Sequence, residues 1–283
     1  MKKLQFAAFM ALVCLQIQSA SATVLGSLLT FDGVEDSLVD DSRSSFFDND
    51  GNGVISVGDV VYGFAAMSEA GPTNSETSIT DQVVAVFAVQ VTGTDLTGTL
   101  LNGGVTTPGQ DLGSLLTGTG FAPIDNGLGD AAFVILSHAG LTPEPLSFSS
   151  ISDFTSADWE YEATLGFATG SNDYLHVDAT FQPDGGGGFV LASATERGGF
   201  TVLDSVFTGA KFLPVSNLRL DETGFSSHEV VLDNAIIQDA GPTSPWDFID
   251  QARFRLNAVP EPASALAFAG IMGLAGFSRR RRK

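Results

Sequence analysis

The chain has 283 residues, with 33 Asp and Glu against 13 Lys and Arg, for a formal net charge of −20. Lys2 and Lys3 open it, and Arg279, Arg280, Arg281, Arg282 and Lys283 close it, so residues 23–258 hold six basic residues against 32 acidic ones, a net charge of −26. A field of that sign repels phosphate backbones and excludes nucleic-acid binding, leaving cations, basic partners and a solvated extracellular setting.

The composition is 43% hydrophobic, with Phe supplying 22 of 27 aromatics, enough apolar material for one substantial core. Gly, Ser, Thr and Asp are abundant and Lys is scarce, a bias toward turns and strands.

Residues 1–22 read as a secretory signal peptide. Lys2 and Lys3 form a charged start, residues 6–15 an apolar run, and Ala20-Ser21-Ala22 a small-residue cleavage site. The single cysteine, Cys14, lies in that run, so the mature chain carries neither a disulfide nor a thiol nucleophile.

Residues 48–59, Asp-Asn-Asp-Gly-Asn-Gly-Val-Ile-Ser-Val-Gly-Asp, place oxygen side chains at positions 1, 3, 5, 9 and 12 with Gly at 6. Asp48, Asp50, Asn52 and Asp59 are candidate side-chain ligands, Val54 offers its carbonyl, and Ser56 holds a bridging water. The segment resembles EF-hand and dockerin calcium loops, with Asp in place of Glu at position 12 and no second copy; the resemblance implies a Ca2+ site. Val60 to Met67, just beyond it, suits either a short helix or a strand.

Val83 to Val91 is apolar on both faces and predicts a central strand; Ala132 to Leu136 predicts a shorter buried one. Residues 93–120 between them, rich in Gly, Thr and Leu, read as a long loop or irregular edge. Asp158, Glu160 and Glu162 alternate with Trp159 and Tyr161, and alternate carboxylates on one strand face lie about 6.5–7 Å apart, near glycosidase separations. That spacing also suits a solvated face opposite a buried Trp, the preferred reading. Tyr174 to Phe181 alternates with period two, a turn follows, and Phe189 to Thr195 resumes, predicting a hairpin. Glu229 to Leu232 is another buried candidate. In the last strand Trp246, Phe248, Ala252, Phe254 and Leu256 share a face that Asp250 interrupts. His138, His176 and His228 are scattered and read as structural, and Trp159 and Trp246 read as core rather than sugar platforms. Many strands, turn signals between them and no convincing amphipathic helix predict an all-β single domain over 23–258, a β-sandwich or jelly-roll-like fold.

The C-terminal segment 259–283 has three consecutive parts. Val259-Pro260-Glu261-Pro262 is followed by an apolar stretch, 263–277, and then by Ser278 and the Arg279, Arg280, Arg281, Arg282, Lys283 cluster. As a helix the apolar stretch reaches about 22 Å, a marginal transmembrane span whose arginines stay cytoplasmic. This arrangement resembles the PEP-CTERM sorting signal of Gram-negative bacteria. The internal Pro143-Glu144-Pro145 has no such continuation and reads as a loop. The resemblance implies recognition by an exosortase, processing near the motif and delivery to the cell envelope, surface or exterior, often alongside exopolysaccharide and biofilm production. The sequence thus predicts a structural or adhesive matrix protein rather than an enzyme, with polysaccharide or envelope components as partners. The alternative is a secreted jelly-roll glycan-binding protein or glycoside hydrolase.

Overall fold

The computed structural model describes residues 23–52, 55–95, 100–103, 131–141, 148–149, 151–154, 158–168, 173–183, 189–207, 210–216 and 227–260. In chain order its elements are α1 (Val24–Leu28), β1 (Glu35–Phe47), β2 (Val60–Pro72), β3 (Thr77–Asp95), β4 (Leu100–Gly103), β5 (Ala131–His138) and a single 3-10 turn (Ile151–Phe154). There follow β6 (Glu160–Gly166), β7 (Tyr174–Pro183), β8 (Phe189–Ser205), β9 (Ala210–Leu213), β10 (Val215–Ser216), β11 (Ser227–His228), β12 (Val230–Asp239) and β13 (Phe248–Pro260).

The all-β expectation holds, but the sandwich does not. Strands β1, β2, β3, β5, β6, β8, β12 and β13 pair successively, each antiparallel to its neighbour, and β13 returns to β1 to close an eight-stranded barrel. Two long strands make the closure possible. The 19 residues of β3 pair with β5 through Gln82–Phe87 and with β4 through Val91–Asp95. The 17 residues of β8 pair with β7 through Phe189–Gly199 and with β6 through Thr201–Ser205. β4 and β7 join each other, so they span the gap between β3 and β8 at one end while β5 and β6 span it at the other. Closure removes the free edges that a sandwich leaves exposed.

The expected C-terminal transmembrane helix is also not among the elements found. Among the described residues no helix is long and apolar enough to cross a membrane, and 261–283 lie outside them. Segment 1–22, Pro143-Glu144-Pro145 and residues 104–120 likewise lie outside.

The double-sided apolar pattern of β3 has a direct structural reason. Its odd positions Val83, Ala85, Phe87 and Val89 enter the barrel core with Phe133, Phe200 and Phe254. Its even positions Val84, Val86 and Ala88 face outward, where Phe64, Phe154 and Trp246 form a second apolar layer with the partly buried Phe148 and Trp159 against it. Phe64 meets Phe154 at 5.2 Å and Trp246 at 5.3 Å between ring centroids, edge-on or tilted as aromatic quadrupoles prefer. Trp246 therefore lies in the outer layer, not on the Ala252–Phe254–Leu256 face, because it precedes β13 and escapes its alternation. Each such fully buried side chain contributes roughly 1.5–3 kcal/mol.

The two barrel ends differ. At the β5–β6 end, α1 and the residue that ends it drop Leu25 and Leu29 into the core; Thr23 caps the helix by accepting from the Gly26 N–H. At the other end β1 passes into β2 through residues 48–59, beside the mouth of the lumen.

Candidate functional site

Residues 48–59 do not join two helices as in an EF-hand. They connect β1 to β2, and the ambiguous stretch after them is strand from Val60. Within the loop the carboxylates of Asp48, Asp50 and Asp59 converge, with one oxygen of each lying within 4.8 Å of the others. Backbone amides hold them there. Asp48 Oδ1 accepts from Gly51 N–H at 2.7 Å and from Asn52 N–H at 3.2 Å, while Asp59 accepts from Asn49 N–H at 2.9 Å and Ser56 N–H at 2.7 Å. Ser56 Oγ reaches Asp50 Oδ2 at 3.2 Å and Asp59 Oδ2 at 3.1 Å, and the Asn52 amide donates to Asp50 Oδ2 at 2.8 Å. Asp59 is 1% exposed and anchors the loop to β3, its backbone carbonyl accepting from the Val91 N–H. Gly51, at position 4, takes a φ of 71°, the left-handed region that favours glycine, while the position-6 residue Gly53 lies outside the described residues. Val54 lies outside the described residues. Three like charges so close repel one another, and a hard cation with oxygen ligands is the species that relieves this.

The glycosidase-like row does not survive folding. A register shift in β6 lets Leu136 pair with Tyr161 and Ile135 with Ala163, so Glu162 is the extra residue and turns inward. Glu162 is fully buried, its Oε1 accepting from Ser137 Oγ at 2.6 Å and Leu25 N–H at 3.3 Å, whereas Asp158 and Glu160 stay exposed. The histidines separate. His228 bonds Asp173 at 2.9 Å, His176 contacts Asp178 at 3.2 Å, and His138 packs on Trp159.

Sequence reasoning missed a second acidic group, inside the barrel. At the loop end a cavity of about 70 Å³ is walled by apolar side chains including Val61, Phe87, Val89, Leu175, Leu191 and Ile237, yet Glu196 of β8 and Asp250 of β13 line it too. Asp40 of β1 lies deeper, 1% exposed, accepting from the Ala252 N–H at 3.1 Å. Burial, then repulsion from Asp250, raises the Glu196 carboxyl to about 8; burial raises Asp250 to about 6. Asp40 is pushed up by burial first and by Asp250 and Glu196 after it. Asp250 was signalled by its break in the β13 alternation. Glu196 was not, because the predicted strand stopped one residue short, at Thr195.

The sorting segment begins inside the sheet. β13 runs to Pro260, with Val259 opposite Lys211 and Pro260 opposite Ala210 on β9, and Gly33 N–H donating to Ala258. Glu261, Pro262, the Arg279–Lys283 cluster and the Ala20 and Ala22 cleavage residues lie outside the described residues.

Comparison with known families finds the PEP-CTERM protein-sorting motif at residues 258–283. The likeness of residues 48–59 to EF-hand and dockerin loops gains no support from it. No curated protein and no solved structure matches the chain. The motif is a mark of exosortase-targeted proteins, exported to the envelope or beyond in Gram-negative bacteria.

Proposed function

We propose that the barrel is the mature, exported body of a structural or adhesive component of the cell surface or extracellular matrix, released from its signal peptide near Ala22 and processed by exosortase at 259–262. The single observation that carries this reading is the sorting motif at 258–283, which begins within the last strand of the sheet. Supporting it, the acidic body suits an extracellular setting, and the carboxylates that favoured glycoside hydrolysis do not share a face. The matrix role, with exopolysaccharide or envelope components as partners, belongs to this proposal, as does a noncatalytic function.

In the same reading the loop takes up Ca2+ after export, Asp48, Asp50 and Asp59 supplying carboxylate oxygens and Asn52 and Ser56 completing the polar set. Extracellular calcium is typically millimolar, so a loop without a bidentate Glu at its twelfth position still fills.

The test is fractionation of the producing bacterium with and without its exosortase. The protein should reach the surface or medium in the wild type and accumulate in the membrane fraction of the mutant; equal release from both strains contradicts the reading. Calcium-dependent retention in the matrix tests the adhesive part, and loss of all retention differences between calcium and chelator contradicts it.

A further inference from the structure

We infer that the loop end of the barrel lumen is a binding site for a small organic cation, an ammonium group carrying a short apolar chain, held by the carboxyl groups of Glu196 and Asp250. The inference is independent of the sorting and matrix roles.

The cavity selects by elimination among ligand classes. Its walls are mostly aliphatic and aromatic, so a wholly polar ligand loses its hydration without replacement. No Lys or Arg lines it and two acids do, so an anion is repelled. A bare hard metal needs six to eight oxygens, and these walls do not offer them. Among the described residues the acidic group whose ligand oxygens lie within 4.8 Å of one another is Asp48, Asp50 and Asp59, not the Asp40, Glu196 and Asp250 set. A neutral hydrocarbon fits the walls and leaves the acids unsatisfied. An alkylammonium answers both, its three N–H donors meeting carboxylate oxygens while its chain lies on the walls.

A separate observation points the same way. Ser42, 2% exposed, sits opposite Asp250 on the β1–β13 ladder, and its hydroxyl has no hydrogen-bond partner. It lies near enough to Asp250 to favour the charged form of that carboxyl, and no closer partner takes up its hydroxyl. The volume, about 70 Å³, admits roughly two waters or a few methylene groups, and Ile55 of the loop stands at the lining.

Charge around the site comes from named groups. β1 contributes Asp40 and Asp41, which oppose ionisation, and Arg43, which favours that of Asp250. From β7 and β12 the lining residues are apolar, Leu175, Val177 and Ile237. Binding of a cation favours the ionised carboxyls, so uptake at pH 7 releases protons, on the order of one per ligand.

The experiment titrates the exported protein calorimetrically with n-propylammonium, 1-propanol and propanoate at fixed calcium, in two buffers of different ionisation heat. Propylammonium should bind at least tenfold more tightly than propanol, propanoate should not bind, and the apparent heat should differ between buffers through proton release. Glu196→Gln with Asp250→Asn should weaken propylammonium at least tenfold while leaving the thermal transition cooperative. Equal affinity for propylammonium and propanol, or a buffer-independent heat, overturns the inference even if that variant fails to fold. Ala194→Phe, which fills the cavity and keeps both acids in the chain, should abolish binding; retained affinity also overturns it.

Discussion

Glu196 ties stability to pH through one carboxyl. Its folded-state pKa of about 8 lies above the ordinary value of 4.5, so between those limits the folded chain holds a proton that the unfolded chain gives up. The contribution is full below about pH 4 and is lost as pH rises through about 8. Asp250, raised to about 6, acts in the same direction over a narrower window. Glu196→Gln should therefore stabilise the protein by about 1–3 kcal/mol at pH 8.5 and change little at pH 4, read from denaturant midpoints at the two pH values. A variant that tracks the wild type at both contradicts the assignment. At the loop, Asp59→Asn keeps the shape and removes one of three converging carboxylates. Raising calcium to 10 mM should lift the wild-type melting temperature by about 2–4 °C and that of the variant by much less. The convergence of Asp48, Asp50 and Asp59 was legible because it is local, carried by twelve consecutive residues. The lumen acids were half legible, since Asp250 interrupts an apolar face whereas Glu196, beyond the predicted end of its strand, gains its meaning only from Asp250 across the barrel.

At the scale of elements, close backbone approach decides which strands pair. Gly63 of β2 lies opposite Ser44 of β1, and a Cβ there would come within 2.1 Å of the Arg43 carbonyl oxygen and 2.8 Å of Ser44 Cα. Both atoms are backbone, so relief requires β1 and β2 to separate. Gly63→Ala should cost about 2–4 kcal/mol in equilibrium unfolding; an unchanged midpoint contradicts the geometry. Gly199 of β8 plays a related part, its missing Cβ leaving room for the His228 ring, which would otherwise sit 2.3 Å away. The sequence predicted β3, β5, the β7–β8 hairpin, β12 and β13 because period-two alternation and turn residues are short-range signals. It did not predict the partner switches along β3 and β8. Alternation has the same period in a sandwich and a barrel, and what separates them is pairing between distant segments, such as Phe200 of β8 with Val230 of β12.

For the whole molecule, the charge of −26 over residues 23–258 is not only a surface property. Asp36, Asp40, Asp59 and Glu162 are buried, each tied to a backbone amide or hydroxyl, while Glu196 and Asp250 line the lumen. The barrel thus spends acidic residues internally, in the anchored loop at one end and the α1 contact at the other. The ends of the chain follow a different logic. Thr23 caps α1, and β13 carries the chain to Pro260, so the paired sheet leaves little slack before the sorting motif is complete. In the proposed reading folding and processing meet within a few residues, and a cut that spares the β9–β13 pairing falls at or after Pro260. The intact mass of the exported protein tests this most directly. The account predicts a chain that starts near Thr23 and ends close to residues 260–262, without Arg279 to Lys283; an exported chain still ending in Lys283 contradicts it.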